Sequence, residues 1–589
     1  MQGREERLGG VGGHVGAPHV TIRQRLTAVA RGAAPADLYL RGGTLLNVYT
    51  GELYPANVAI RGERIAYVGL REEAIGARTR VLEVAGRVLV PGYIDPHVHV
   101  GNLVTPSAFA RHVLPLGTTS VFADTLQFWE LGGLAAFRAV ADGLARSPLK
   151  FYWMVRPHAQ SRTTDEARRF PLRDFARALE HPWAVAAGEV TRWPDAHAGS
   201  RDLLRRLAIA ETRGLRVEGH TAGASAEKIP AIAAAGFTSD HEPITAAEAL
   251  DRARQGIAVM LRDSSLRPDL LGLLDALKAA PALASRVMLT SDGAMPAFVV
   301  EHGFVDHLLR LALDRGVPPV DAYRMVTLNP ATYFRRDGDL GGIAPGRYAD
   351  VCVLGDLSEP RPEMVIARGR LAAEGGRLLA RVPEPAWSRV FTSRQARLDV
   401  RWRATARDFE LPPRERYPVL RLVSAVISRR EDRPLAAGDL HAALVDRAGR
   451  WIAPGVVAGF GDRVDGLATT LSTDFNILVL GRTPAAMARA VNRLLELRGG
   501  LVLVDGDASA YEIALPIGGI MGRGAFAAAA AAERELREAL AARGHAHHDP
   551  LFTLLFLSAD FLPALRLTPR GVWDVRASRI LLPSRRRTG

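Results

Sequence analysis

Cysteine is almost absent from this chain of 589 residues, because Cys352 is its single thiol. One cysteine forms no internal disulfide, which is typical of proteins in a reducing compartment. No apolar run reaches the roughly 18 residues that a membrane-spanning helix needs. Glycines and charged residues also interrupt the first thirty residues, so these lack the apolar core of a signal peptide. These absences predict a cytoplasmic protein that does not span a membrane.

Lysine is scarce as well, since Lys150, Lys228 and Lys278 are the only lysines. The net charge of +13 therefore comes almost entirely from arginine, which is spread along the chain among acidic neighbours. One concentrated run, Arg585–Arg587, lies at the C-terminal end, where a solvated tail is the simpler interpretation. This distribution predicts no stripe that would bind nucleic acid.

The remaining composition is that of a globular protein, with 48% apolar and 24% charged residues. A chain of this length exceeds one hydrophobic core and should divide into about two to four domains. From Leu38, short alternating strands with glycine-rich turns indicate a small β-domain. After Pro91 the pattern changes to eight strand–helix units, which are typical of a (β/α)8 barrel.

The predicted fold class is therefore α/β. It consists of a (β/α)8 TIM barrel, a small flanking β-domain built from both sides of the barrel, and an additional C-terminal α+β domain. The first divisions are an N-terminal tail over 1–36, the first part of the β-domain over 37–90 and the barrel over 91–340. The second part of the β-domain over 341–400, a proline-rich linker over 401–418 and the C-terminal domain over 419–589 follow.

Six potential metal ligands fall at predicted strand ends, where the catalytic groups of TIM barrels lie. His97 and His99 follow strand 1 and, being two residues apart, point the same way on an extended chain. The other four follow strands 4, 5, 6 and 8, and are Glu189, His220, His241 and Asp292. A structural histidine pair is an equal alternative for the His-x-His segment alone. A barrel interior, however, favours Val, Ile and Leu over six residues of this kind.

The types of these residues indicate a reaction class. Histidine and carboxylate ligands without a thiolate suit Mn²⁺, Fe²⁺ or Zn²⁺. Two such ions about 3.5–4 Å apart lower the pKa of a bound water toward ~7. Asp292 is placed to accept a proton from that water and to return it to a leaving group. The predicted reaction is therefore hydrolytic attack on an sp² carbon that bears nitrogen.

Eight short segments between Leu38 and Leu582 carry a family resemblance. They cover residues 47–54, 91–99, 113–119, 218–220, 239–242, 327–331, 343–350 and 515–520. On these segments the chain resembles the bacterial adenine deaminase family of the amidohydrolase superfamily. Ser-Asp-His-Glu at 239–242 and Leu-Pro-Ile-Gly-Gly-Ile at 515–520 are the segments more specific to adenine deaminases.

The resemblance matches the whole set of six ligand residues. It implies two divalent metal ions, Mn²⁺ or Fe²⁺ in the first place and Zn²⁺ as the alternative. It also implies that Glu189 and Asp292 are catalytic residues. The implied activity is hydrolysis of adenine to hypoxanthine and ammonia, by attack of a metal hydroxide at C6 with Asp292 as the proton shuttle.

Elimination indicates which ligand bridges the two metals. Many two-metal amidohydrolases use a carbamylated lysine on strand 4, but Lys150 begins strand 3 and the other two lysines fall in helical stretches. Glu189 is the carboxylate at that position, and the preceding Gly188 lets the chain approach a metal closely. A glutamate salt-bridged to Arg192 is the alternative interpretation.

Departures from the family fall around the substrate. Residues 124–127, Asp-Thr-Leu-Gln, replace the family's Asp-Pro-His-Glu, and residues 156–161 replace its Pro-Ser-Cys-Val-Pro-Ala. Residues 471–476 lack the family's histidines. A pocket that reads a purine by hydrogen bonds loses several powers of ten in discrimination when one partner is missing. The alternatives are therefore an amidohydrolase acting on a different purine, a related heterocycle or a cyclic amide, and a non-catalytic metal-binding paralogue.

Four residues are candidates for substrate binding: Gln127, His158, Arg262 and Asn476. A surface salt bridge is an equal alternative for Arg262, and a core histidine bonded to backbone is an equal alternative for His158. The predicted partner is a small molecule, a purine or related heterocycle, rather than nucleic acid or a membrane. A homo-oligomer, most simply a dimer, is expected. The C-terminal domain is predicted either to cover the barrel mouth or to mediate that dimer.

Overall fold

The N-terminal part of the chain forms most of a mixed sheet beside the barrel. The computed structural model describes residues 17–162 and 165–587. Strand β1 pairs antiparallel with β2 and parallel with β4 and β5. The elements of this part are α1 (Ala17–Ala30), β1 (Leu38–Asn47), β2 (Glu52–Arg61), β3 (Arg64–Gly69), β4 (Arg80–Glu83) and β5 (Val88–Pro91).

Helix α1 packs on this sheet, so the predicted tail over 1–36 is wrong for its second half. Val29 is buried in a cluster with Tyr39 and Ala59. The glycine and arginine content suggested a frayed end, but tertiary packing of one helical stripe is enough to order a short helix. Residues 1–16 of the predicted tail lie outside the described residues.

Eight parallel strands form a closed barrel, which confirms the predicted fold class. They follow one another around the barrel in chain order, and a bridge between Val98 and Asp292 joins the last strand to the first. All eight carboxyl ends therefore meet at one mouth. The strands are β6 (Tyr93–Val98), β7 (Thr118–Asp124), β8 (Lys150–Val155), β9 (Ala184–Val190), β10 (Arg216–Gly219), β11 (Ser239–Asp240), β12 (Ala258–Arg262) and β13 (Met288–Thr290).

Helices connect the barrel strands and cover the outside of the barrel. In α7 the buried side chains are Leu203, Arg206, Leu207 and Ala210, whose spacing places them on one helical face. The barrel helices are α2 (Pro106–Val113), α3 (Leu126–Leu144), α4 (Glu166–Arg169), α5 (Leu172–Ala178), α6 (Trp193–His197), α7 (Arg201–Thr212), α8 (Ile229–Ala234), α9 (Ala246–Arg254), α10 (Leu270–Leu273), α11 (Asp275–Ala279), α12 (Pro296–His302), α13 (Val305–Asp314), α14 (Pro319–Met325) and α15 (Leu328–Tyr333).

After the barrel the chain returns to the first sheet. Its strands there are β14 (Val351–Leu354), β15 (Met364–Ala367), β16 (Arg370–Glu374) and β17 (Arg377–Leu378). Strand β14 pairs antiparallel with β5, so the β-domain is built from both sides of the barrel. A buried ion pair joins this sheet to barrel strand β8, with Lys150 Nζ 2.7 Å from Asp350 Oδ2.

The described residues after β17 form a second large sheet, a three-stranded sheet and four α-helices. The strands are β18 (Tyr417–Leu422), β19 (Ser428–Arg433), β20 (Leu440–Val445), β21 (Trp451–Ala458), β22 (Gly466–Thr469), β23 (Ile477–Gly481), β24 (Gly500–Asp505), β25 (Ala508–Ala514), β26 (Leu565–Thr568), β27 (Gly571–Asp574), β28 (Arg579–Pro583) and β29 (Arg585–Arg586). The helices are α16 (Trp387–Val390), α17 (Pro484–Glu496), α18 (Phe526–Ala541) and α19 (Pro550–Phe556). Across the described ranges, no helix is long and apolar enough to cross a membrane.

Two segments that were predicted to be loose belong to this domain. The predicted linker over 401–418 buries Phe409 in a core that includes side chains of α17, and β18 already begins at Tyr417. In the predicted solvated tail, Arg587 donates to both carboxylate oxygens of Asp408 at 3.0 Å. Proline and arginine content indicated exposure, but a buried ring and a two-point ion pair hold both segments in place.

The C-terminal domain covers the mouth of the barrel, which is one of the two roles predicted for it. Helix α19 and the loop that follows it place Phe552, Phe556 and Phe561 around the cavity at the strand ends. The ring of Phe561 lies edge-on to that of His220, with centroids 5.2 Å apart. The domain therefore supplies part of the wall of the site.

Candidate active site

The structure brings the six predicted ligand residues together at the barrel mouth. Two groups of three keep their possible ligand atoms within 4.8 Å of one another. The first group is His97, Glu189 and His241, and the second is His97, His99 and Asp292. The sixth residue, His220, has its Nδ1 atom 3.3 Å from His241 Nε2. These separations leave room for an ion, because metal–nitrogen and metal–oxygen distances are about 2.0–2.2 Å.

Glu189 lies at the centre of the cluster. Its Oε1 atom is 2.5 Å from His220 Nδ1 and 3.5 Å from His241 Nε2, and its Oε2 atom is 3.7 Å from His99 Nε2. The two carboxylate oxygens therefore face histidines on opposite sides, which is the arrangement that a bridging ligand requires.

The local backbone at Glu189 depends on the glycine before it. A side chain at Gly188 would place its Cβ atom 2.8 Å from Glu218 Cβ, which is closer than side chains pack. Arg192, the alternative partner of Glu189, pairs instead with Glu166 at 2.7 Å. Glu189 therefore forms no salt bridge with Arg192, and its carboxylate faces the histidines of the cluster.

The charges of the cluster balance one another. Burial would lower the pKa of His99, but hydrogen bonds to Asp124 and Asp292 raise it to about 10. Burial would raise the pKa of Asp292, but hydrogen bonds from His97 and His99 hold it well below its usual range. A proton on a histidine and a metal ion compete for the same nitrogen, so metal binding releases protons here.

The donor set fits divalent metals. It consists of imidazole nitrogens and carboxylate oxygens, which suit Mn²⁺, Fe²⁺ and Zn²⁺. His220 turns its Nδ1 atom toward these carboxylates, 2.5 Å from Glu189 Oε1 and 3.4 Å from Glu242 Oε1. Nδ1 is therefore the nitrogen that this residue offers to an ion.

An outer group of charged residues holds the ligands, and sequence reasoning missed most of it. Arg156 is fully buried at the end of β8 and donates from Nη2 to Glu189 Oε2 at 2.5 Å and to Asp124 Oδ2 at 2.6 Å. Glu218 Oε1 lies 2.8 Å from His241 Nδ1. Partners of this kind orient metal ligands and tune their basicity. The available signal was their position, since both residues stand at or beside a strand end.

Arg262, predicted as a substrate-binding residue, lies in the same outer group. Its Nη1 atom donates to Glu242 Oε1 at 2.5 Å and to Asp292 Oδ2 at 2.7 Å. It also lines the cavity, and its Nε and Nη2 atoms have no hydrogen-bond partner among the described residues. The surface salt bridge that was its alternative is wrong, because the side chain is 2% exposed.

A cavity of about 120 Å³ lies beside the cluster, and Gln127, a candidate for substrate binding, is part of its wall. Gln160, in the loop between β8 and α4, lines it as well and was not predicted. Both amides are buried, and Gln127 Nε2 and Gln160 Oε1 have no hydrogen-bond partner among the described residues. The cavity therefore presents an unpaired donor and an unpaired acceptor. A neutral polar ring would satisfy both.

Two predicted substrate-binding residues do not reach this cavity. His158 is a core histidine whose Nδ1 atom lies 2.8 Å from the carbonyl oxygen of Ala159, which is its stated alternative. Asn476 donates to Asp474 Oδ2 at 3.0 Å and points away from the cluster. Its segment does reach the cavity, but through Thr473 and Phe475. The type of a residue in a loop or at a strand end does not show whether its side chain points into the barrel mouth or away from it.

Comparison with known proteins agrees with this geometry. Residues 88–372 match the amidohydrolase family, and residues 425–579 match the adenine deaminase C-terminal domain. An adenine deaminase of Methylobacterium nodulans is 36% identical over 580 residues, which cover 95% of this chain and 99% of that protein. An adenine deaminase of Moorella thermoacetica is 34% identical over 579 residues, which cover 95% of this chain and 97% of that protein.

Among solved structures, a β-aspartyl dipeptidase of Fervidobacterium islandicum has a TM-score of 0.46 and 18% identity, and the match covers 59% of this chain and 99% of that chain. The full-length relatives carry more weight than this partial likeness, because they include the barrel and the C-terminal domain together. The resemblance seen in the eight sequence segments is confirmed, and the chain belongs to the adenine deaminase family of the amidohydrolases.

Proposed function

We propose that this protein is a metal-dependent adenine deaminase, which converts adenine and water into hypoxanthine and ammonia. The observation that supports it most is the cluster of candidate ligands, because the whole set stands at one barrel mouth beside a cavity. The full-length relatives named adenine deaminase support the same substrate. A cavity of about 120 Å³ also suits a small ring better than a nucleotide.

Six residues would hold two divalent ions, Mn²⁺ or Fe²⁺ in the first place and Zn²⁺ as the alternative: His97, His99, Glu189, His220, His241 and Asp292. When bound, such ions supply Lewis-acid activation of water at neutral pH. Glu189 would bridge them, since its two oxygens face histidines on opposite sides. Asp124, which lies 3.3 Å from His99 Nδ1, would orient that ring.

Asp292 would move the proton of the reaction. Its Oδ2 atom is held by Arg262 and its Oδ1 atom lies 3.3 Å from His99 Nε2, so the carboxylate is fixed and ionised. During the reaction the oxygen of the water would form a bond to C6 of adenine, and the bond between C6 and the amino nitrogen would break. Asp292 takes a proton from the water and gives it to the departing amino nitrogen, which leaves as ammonia.

The ring would be held by the cavity wall. Gln127 Nε2 offers a donor to a ring nitrogen, and Gln160 Oε1 offers an acceptor to a ring N–H or to the amino group. Phe552 and Phe561 would cover the ring and exclude bulk water. A cytoplasmic location and a homodimer stay predictions.

The test is ammonia release by protein loaded in turn with Mn²⁺, Fe²⁺ and Zn²⁺, with adenine and a panel of other 6-substituted purines, pterin-like rings and cyclic amides. We expect adenine to be the best substrate. D292N should lose nearly all turnover while keeping the fold, and D314N, an exposed aspartate on α13, should behave as wild type.

Two outcomes would contradict the proposal in different ways. Good turnover of another ring without adenine turnover would favour a different purine, a related heterocycle or a cyclic amide as the substrate. The amides of Gln127 and Gln160 in the cavity wall are the reason to test these rings. Less than one equivalent of bound metal after loading, with no turnover of any ring, would favour a non-catalytic paralogue.

A further inference from the structure

A second and larger cavity of about 800 Å³ lies between the barrel and the C-terminal domain. It shares one wall with the site described above, because Phe475 lines both cavities. Six arginines and four carboxylates line it, so positive charge is in excess. Its walls come from α4, from the turn between β20 and β21, and from β29, where Arg168, Arg447 and Arg586 stand.

Arg447 is the unusual member of this lining. Its side chain is buried, with Nη1 donating to Phe475 O at 3.0 Å and Nη2 donating to Gly518 O at 2.7 Å. Its Nε atom has no hydrogen-bond partner among the described residues. The guanidinium also forms no ion pair with a carboxylate of the described residues, and the neighbouring Asp446 pairs with Arg450 instead. Burial lowers the pKa of this guanidinium to about 9. An unpaired buried cation is costly unless an anion compensates it.

The neighbouring acids are engaged elsewhere. Asp446 pairs with Arg450 at 2.6 Å. Asp474 accepts from Ser472 Oγ and from Asn476 Nδ2, both at 3.0 Å. Glu130 pairs with Arg169, and Asp165 pairs with Arg168. Among the described residues, none of the four lining carboxylates therefore forms an ion pair with Arg447.

Arg566 is a useful comparison, because it is a second buried arginine without a carboxylate partner and yet all its side-chain nitrogens donate hydrogen bonds. Arg566 is also buried without a carboxylate, but its Nε, Nη1 and Nη2 atoms all donate, mainly to backbone carbonyls. Its hydrogen-bonding capacity is used to hold the loop after α19. Arg447 keeps a free donor, and that donor belongs to a cavity wall.

Arg586 adds a second free cation to the lining, on β29, where it is the antiparallel register partner of Trp451 on β21. It is exposed, and its side chain makes no hydrogen bond or ion pair with the residues that the structure describes. Trp451, which begins β21 after the β20–β21 turn, lines the cavity beside Arg586 and contributes an aromatic ring. Guanidinium groups bind phosphate oxygens in two-point contacts, and an aromatic face binds a base or sugar.

We propose that this second cavity binds a phosphate ester about the size of a nucleotide. The volume lies within the ~300–1,000 Å³ typical of small-molecule sites. Arg447 and Arg586 would bind the phosphate, and Trp451 would pack against the organic part. The site is separate from the ligand cluster, so its occupancy does not depend on the deaminase activity.

The test is isothermal titration of the full-length, metal-loaded protein with AMP, ribose 5-phosphate, inorganic phosphate and adenosine. We expect AMP and ribose 5-phosphate to bind and R586A to weaken both about tenfold or more, because the variant loses a charge-assisted contact with the phosphate. R447M should weaken them further. R377A removes an exposed arginine of β17 outside the cavity and should bind as wild type.

Three results would overturn the proposal. The first is no binding of AMP or ribose 5-phosphate up to about 10 mM, which is weaker than about −3 kcal/mol. The second is equal affinity in R586A and R377A, which would place the ligand elsewhere. The third is adenosine binding as tightly as AMP with the same loss in R586A, which would show that phosphate is not the recognised group. R586A keeps the test decisive if R447M does not fold.

Discussion

Replacing Arg156 with methionine is expected to weaken the fold in the absence of metal without weakening metal binding. Arg156 is fully buried and shares its charge between Asp124 and Glu189, at 2.6 Å and 2.5 Å from Nη2. Methionine fills much of the same space but leaves both carboxylates without their common cation. Removing one partner of a buried ion pair costs about 3–5 kcal/mol, which is a large part of the stability of a typical domain.

Two effects of this change on metal affinity oppose each other. Loss of a hydrogen bond that orients a ligand lowers metal affinity about 10–100-fold, or about 1.4–2.7 kcal/mol. Loss of the positive charge acts the other way. A unit charge about 5 Å from a divalent ion repels it by about 6–7 kcal/mol at an effective dielectric constant of about 20. The second effect is larger, so R156M should bind Mn²⁺ at least as tightly as wild type.

Urea unfolding with a chelator and with excess Mn²⁺, together with a metal titration, measures both quantities. We expect R156M to lose most of its stability only with the chelator, because bound metal supplies the missing charge. R206M is the control, since Arg206 is a buried arginine that pairs with the exposed Asp202 and donates to two backbone carbonyls, without contact to a carboxylate of the cluster. Its loss should be the same with and without metal. A Mn²⁺ affinity of R156M that falls about tenfold or more would refute the charge argument.

Three further predictions concern the cavity cover, a domain contact and pH. Phe561→Ala should raise the KM for adenine about 5–150-fold, because an aromatic ring against a base contributes about 1–3 kcal/mol, and an unchanged KM would exclude the ring from the binding face. Lys150→Met leaves the buried carboxylate of Asp350 without its cation and should lower the free energy of unfolding, measured in urea, by about 3–5 kcal/mol. A loss below about 1 kcal/mol would contradict the ion-pair argument. Burial raises the pKa of Glu533 to about 7, above the roughly 4.3 of an unfolded glutamate. The folded state then binds the proton more tightly, so wild-type stability should fall as pH rises from about 4.3 to 7, and E533Q should lack this fall when urea midpoints are compared.

The meeting of the six candidate ligands at one mouth could be predicted because barrel geometry is strict. The period of a strand places His97 and His99 on one side, and the parallel topology brings Glu189 and Asp292 to the same mouth from strands far apart in the chain. The eight-stranded barrel and the shared β-domain followed from the same regular patterns. These parts depend only on spacing and on the direction of strands.

The outer group and the cavity wall could not be predicted in the same way. Arg156 stands at a strand end like a ligand, but its role depends on how far a long side chain reaches across two neighbouring strands. His158, two residues later, turns into the core instead. Phe561 reaches the site only because the C-terminal domain docks on the barrel, and docking leaves no periodic signal. The helix at 17–30 was missed for a related reason, since its order comes from packing on the sheet.

The metal ligands and the groups that would recognise the ring differ in how the fold holds them. Each central carboxylate is tied to a buried arginine, Glu189 to Arg156 and Asp292 to Arg262, so a change at either one leaves an uncompensated buried charge. Gln127 faces the cavity with an unpaired amide atom, and its replacement by a neutral side chain of similar volume leaves no charge behind. Substitutions in the wall therefore cost little stability compared with substitutions in the cluster. Substrate preference can therefore change through the wall while the candidate ligand set stays the same.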